Sequence, residues 1–283
     1  MFPADSFWHA TVSGLPVHPS SSAWVASIGA SSHVHADFGS GLWNGGPIGI
    51  PWVAVGSGQP SVPISFDYAD ESDPGPYPIP SNAPIEGGAG STGDRHVLVV
   101  DQGSCRLYET YDAHPGAGSW HAGSGAVWDL RSNALRPATW TSADAAGLAI
   151  LPGLVRYDEV AAGHIDHPIR FTAPRSQQAF IWPARHQAGS STNPALPPMG
   201  AWFRLRSDYD TSRLGPQARV IAEAMKSSGI ILADNGSSWY ISGAPDEHWH
   251  NDDLHTLDPI AGSDFVAVDT SGLAVDPGSG QHR

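Results

Sequence analysis

"DRHVLVVDQGSCRLYETYDA", residues 94–113, sets two runs of Val, Leu, Tyr and Thr on either side of Asp101-Gln102-Gly103-Ser104. Such residues fit a pleated surface, and a polar, glycine-bearing break between two such runs signals a β-hairpin. With an even-length loop, residues whose numbers sum to an odd value pair across it. His96 and Leu98 then share a face with Leu107, Glu109 and Tyr111, because strand side chains alternate. Arg95, Val97 and Val99 share the other face with Arg106, Tyr108 and Thr110.

Outward from this hairpin the chain keeps a β character. It carries 32 glycines and 25 prolines among 283 residues, too many for a helical protein. Residues 47–55, 61–69, 125–132, 178–184, 200–210 and 263–270 read as further strands, the first pushed to a sheet edge by its prolines. A second hairpin is expected over 154–174, turning at Ala161–Gly163, and a third over 229–243 on Asn235-Gly236. Two helices are expected. One follows the serines at 20–22 and ends at Gly29; the other opens on Pro216, carries the stripe Val220, Ile221, Ala224 and Met225, and stops at Gly229. The sum is a mainly β fold: one antiparallel β-sandwich or distorted barrel over residues 1–275, a few peripheral helices, and a loose tail over 276–283.

Charge narrows the function. Lys226 is the single lysine beside 13 arginines and 28 acidic residues, a formal charge of −14. That excess repels phosphate backbones and anionic lipid, so nucleic acid is a poor partner, while a neutral polymer is compatible. No run of 18 apolar residues occurs, so no membrane insertion is expected, and no signal peptide is visible at the start. Cys105 is the only cysteine and reads as a small buried hydrophobe.

No serine-nucleophile elbow or phosphate loop is present, which leaves carboxylates, histidines and tryptophans. Glu109, Asp129, Asp158 and Glu159 sit in strand-like runs, where an unpaired carboxylate is costly to bury. A pair of carboxylates at suitable separation cleaves glycosidic bonds. Glu109 and Asp158 are the candidate catalytic pair, with His96 and Tyr111 orienting them. Trp43, Trp120 and Trp140 lie in Gly/Ser/Thr-rich turns and are candidate sugar platforms, whereas Trp182 and Trp202 read as core. Residues 66–80, "FDYADESDPGPYPIP", crowd Asp67, Asp70, Glu71 and Asp73 before a proline run, an acceptor group for sugar hydroxyls or a structural calcium. Among 14 histidines, "HVHAD" puts His33, His35 and Asp37 on one strand face, and "EHWHNDDLH" offers His248, His250 and His255. A mixed divalent-metal site from His96, His167 and His186 is the metal alternative; otherwise no cofactor is expected.

Several strings stand out together: residues 66–80, "APIEGG" (83–88), residues 93–113, "SADAAGL" (142–148), "LPGLVRYDEV" (151–160), "HPIRFTAP" (167–174) and "ILADNGSSWYISGAP" (231–245). On these strings the chain resembles a group of exported bacterial proteins of unassigned activity. The resemblance spans nearly the whole length and implies a single domain in an extracellular setting. The expectation is a secreted glycan-active enzyme, a glycoside hydrolase. The alternatives are a non-catalytic polysaccharide-binding module and a histidine-metal hydrolase or lyase.

Overall fold

The hairpin over 94–113 pairs in the predicted register. In the computed structural model, which describes residues 1–283, Leu98 lies opposite Glu109 and Val99 opposite Tyr108. In chain order the first strands are β1 (His35–Asp37), β2 (Leu42–Trp43), β3 (Gly46–Pro47), β4 (Trp52–Val55) and β5 (Ile64–Phe66). The hairpin region adds β6 (Val97–Asp101), β7 (Arg106–Tyr111), β8 (His114–Pro115), β9 (Trp120–Ala122) and β10 (Ser124–Asp129). β11 (Ile169–Ala173), β12 (Trp202–Leu205), β13 (Ile230–Asn235), β14 (Tyr240–Ser242) and β15 (Phe265–Ala267) complete the strands. The helices are α1 (Ser21–Ile28), α2 (Tyr157–Ala162), α3 (Pro216–Ser227) and α4 (Asn251–Leu254).

The fold is mainly β, and none of its sheets closes into a barrel. A six-stranded sheet runs β1-β14-β11-β13-β12-β15, and a four-stranded sheet runs β10-β7-β6-β4. A three-stranded sheet, β5-β9-β8, and the ribbon β2-β3 complete the set. Antiparallel pairs outnumber parallel ones, but the sheets are mixed: β1 runs parallel to β14, β11 to β13, β4 to β6 and β5 to β9.

Two expected hairpins are absent. Residues 157–162 form α2, with Asp158 and Glu159 in a first turn that favours negative charge and Gly163 in the left-handed conformation closing it. The Asn235-Gly236 segment turns the chain, but β13 and β14 do not pair with each other. β11 lies between them, parallel to one and antiparallel to the other. Residues 177–184 make only single-residue bridges, Phe180 with Met199 and Gln177 with Ser191. The segment 276–283 is tied down, with bridges from Ser279 to Ala134 and from Gln281 to Ser6.

The four-stranded sheet is covered on both sides. Leu98, Leu107, Ala126 and Trp128 join the main core, shared with Phe171, Trp202, Phe203, Ile231 and Trp239 of the six-stranded sheet and its turns. Val97 and Val99 face a smaller core with Tyr77, Ile79 and Trp120. The strap 66–80 closes that second core: Tyr77 is fully buried, and its hydroxyl donates to the Asp73 carbonyl at 2.8 Å.

Candidate active site

β1, the β2-β3 ribbon and the loop that leads into β6 carry the functional groups into one cleft of about 580 Å³. His35 and Asp37, two residues apart on β1, line it from the same strand face. The His35 ring lies against Tyr240 of the neighbouring β14, with centroids 4.4 Å apart. Glu86 enters from the "APIEGG" loop, whose next two residues, Gly87 and Gly88, have φ of 70° and 85°. The ribbon β2-β3 turns on Asn44 and Gly45, both at positive φ, the conformation that favours Asn-Gly. It presents Trp43, 73% exposed, as one wall of the cleft. Ribbon and loop touch through glycines: a methyl at Gly46 would collide with the Gly87 carbonyl.

His96 stands behind Glu86, fully enclosed. Its Nδ1–H donates to Glu86 Oε2 at 2.6 Å, and its Nε2–H donates to the Ala143 carbonyl at 3.0 Å. A carbonyl only accepts, so with a carboxylate on the other nitrogen the ring is an imidazolium. Burial alone would lower the His96 imidazole, but the Glu86 charge and hydrogen bond overturn that and push it up to about 9. Burial likewise acts to raise the Glu86 carboxyl and is outweighed by His96, leaving Glu86 below the usual carboxylate range. Asp37 moves the other way. Water reaches it, yet the cleft walls desolvate it and the Glu86 charge adds to the effect, so it lies above the usual range despite His35 and Arg170. Neither Asp37 nor Glu86 Oε1 makes a hydrogen bond within the chain, so three carboxyl oxygens remain for a ligand.

Beneath the cleft, Arg170 on β11 is 5% exposed and fixed by four hydrogen bonds. It donates to both Asp144 oxygens at 2.8 and 2.9 Å, to Ser242 Oγ at 2.7 Å and to Asp234 at 3.2 Å. Burial and the neighbouring Asp144 push the Asp234 carboxyl up to about 7. The network clasps β11, β13 and β14 together, next to β1 at the edge of the same sheet.

The expected catalytic pair does not converge. Glu109 is fully buried and lines neither this cleft nor the hollow around α2. Its carboxyl accepts from the Ile150 and Leu151 backbone N–H groups at 2.9 and 2.8 Å and from the Trp128 indole at 3.0 Å. Asp158 is exposed in the first turn of α2, on a separate cleft of about 300 Å³ beside Arg156, Glu159 and His167. Tyr111 does lie near His96, with ring centroids 6.0 Å apart, but it does not line the cleft. Of the three tryptophan platforms only Trp43 is in place. Trp120 is 6% exposed in the second core, and Trp140 lies 5.6 Å from the Arg136 guanidinium.

The acidic strap is structural. Asp73 pairs with Arg136 and accepts from Val127 N–H at 2.8 Å, and Glu71 accepts from Thr141 N–H at 3.0 Å. Asp70 stays exposed in a short helical turn, away from the cleft. His96, His167 and His186 do not form one metal site: His167 bonds Glu159 and the Pro168 carbonyl, and His186 the Ala145 carbonyl. The metal-compatible cluster is instead Glu86, Asp94 and His96, with ligand atoms within 4.8 Å of one another. With both His96 nitrogens donating, that ring offers a cation no lone pair, so the cluster fits an ion pair better than a metal.

Glu109 gives a pH test. Burial raises its carboxyl from 4.5 to about 7, against the pull of its three N–H donors. A group raised on folding favours the native state at acid pH. Its contribution is complete below pH 4.5 and is lost as the pH rises through 7. We expect Glu109→Gln to flatten the fall in melting temperature over that interval. It should also destabilise the acid form by about 1–3 kcal/mol, because the new amide faces N–H donors. An unchanged pH slope would show that Glu109 does not titrate there.

Comparison with protein-family models, curated proteins and solved structures finds no match for the chain. The functional reading therefore rests on the cleft.

Proposed function

We propose that the protein is a glycan-active enzyme, a glycoside hydrolase whose two carboxyl groups are Asp37 and Glu86. One observation carries this reading: two carboxyls with opposite shifts and unbonded oxygens share a cleft walled by an exposed tryptophan. Carboxyls driven apart in this way divide into acid and base. Asp37, which holds its proton more tightly, gives it to the glycosidic oxygen as the C–O bond breaks and the electron pair leaves with that oxygen. Glu86, kept ionised by His96, either attacks the anomeric carbon or takes a proton from the water that does so. Trp43 offers an indole face to the sugar C–H surface. A polysaccharide outside the cell is the partner this reading implies, in keeping with the resemblance to exported proteins.

Reducing ends released from plant, fungal and bacterial glycans test the proposal. Release from at least one polymer by the wild type, and none by Asp37→Asn, is the expected result. Binding with no release from any polymer would make the protein a polysaccharide-binding module instead. Neither binding nor release would end the glycan reading.

A further inference from the structure

The cleft that holds Asp37 and Glu86 is lined by no arginine and no lysine. A uronate or sulfate on a sugar is held by such groups, most tightly by a guanidinium that donates two parallel hydrogen bonds. Arg170, the guanidinium whose charge reaches Asp37 and Glu86, is buried and spent on Asp144, Asp234 and Ser242. Of the two histidines in the lining, His35 lies tilted against Tyr240, and His255 Nδ1 lies 3.4 Å from Asp258. An anionic sugar would meet Asp37 and Glu86 with no guanidinium or ammonium in the lining to offset them, under the field of a chain of net charge −14. The wall it would meet is apolar: Trp43, Pro47 and Ile48 stand together on one side. Flat C–H faces and hydroxyls suit this surface, and carboxylates do not.

We propose that the cleft selects uncharged glycans and rejects those bearing uronate or sulfate. This rests on the glycan reading above and narrows it to a substrate class, with Trp43 as the residue that grips the chain. The closing experiment is affinity electrophoresis at neutral pH of the full chain as Glu86→Gln, which binds without turnover. The neutral gels contain β-glucan, xylan, galactan or mannan; the anionic ones contain polygalacturonate, alginate or chondroitin sulfate. The expected result is retardation by one or more neutral polymers and by no anionic one. Adding Trp43→Ala should weaken that retardation about tenfold. Adding Ile48→Arg, which puts a guanidinium on the wall, should bring in retardation by a uronate polymer. Retardation by an anionic polymer that disappears with Trp43→Ala would overturn the selectivity and leave the glycan reading standing. Retardation by none of the seven would overturn both.

Discussion

Glu86→Gln is expected to lower kcat/KM on the cleaved glycan by a thousandfold or more while leaving the fold intact. The amide keeps the size of the side chain; without the Glu86 charge burial returns His96 to its neutral ring, whose Nδ1 can accept from the amide N–H while Nε2–H keeps the Ala143 carbonyl. What it loses is the charge, and with it the ability to attack or to deprotonate water, steps that each supply large factors in rate. Asp37→Asn should cost as much on a polysaccharide but much less on an aryl glycoside whose leaving group departs without protonation. The two variants thus separate donor from base: only the acid's loss is rescued by a good leaving group. Steady-state rates on both substrate types read this out. If Glu86→Gln cuts at the wild-type rate, or if the rescue appears for Glu86 and not for Asp37, the assigned roles are wrong.

Arg170→Met should destabilise the protein by about 3–5 kcal/mol, the cost of removing one partner from a buried ion pair. The side chain is 6% exposed, and the Asp144 side chain it would abandon has no exposure at all. Asp234 and Ser242 would lose their donor too, so three strands of the large sheet would lose a common clasp. The midpoint of urea unfolding measures the effect, and the double variant Arg170→Met with Asp144→Leu should recover part of it, since paired apolar residues need no counter-charge. A loss below about 1 kcal/mol, typical of exposed pairs, would mean that water reaches the network.

How much of this was legible beforehand depends on the distance along the chain over which each feature is decided. The 94–113 hairpin is a local object, so alternation and turn chemistry gave both register and faces, down to Leu98 opposite Glu109. α1 and α3 were equally local, each bounded by its own glycine or proline. Pairing of β11 with β13 and β14 joins segments about sixty residues apart, and no local pattern in either announces it. Residues 157–162 could be read as strand until the acids of the first turn and Gly163 are weighed together as helix ends.

The site was half visible. His35 and Asp37 announced themselves by their i, i+2 spacing, and Trp43 by sitting in a turn. Glu86 did not, because one acid before two glycines has no periodicity and gains meaning only when His96 stands behind it. Glu109 misled for the opposite reason. A carboxylate inside a strand is a genuine anomaly, but its resolution is three N–H donors in the core rather than chemistry.

The strand seated between β13 and β14 bears on how the chain reaches its native state. Segment 230–242 cannot zip up as a nearest-neighbour unit, since its two arms must stay a strand's width apart until residues 169–173 arrive. Nucleation of the large sheet therefore waits on a long loop closing, which places the protein among slow folders for its size. Until that closure, two apolar arms stand open to intermolecular association, so refolding yield should fall with protein concentration.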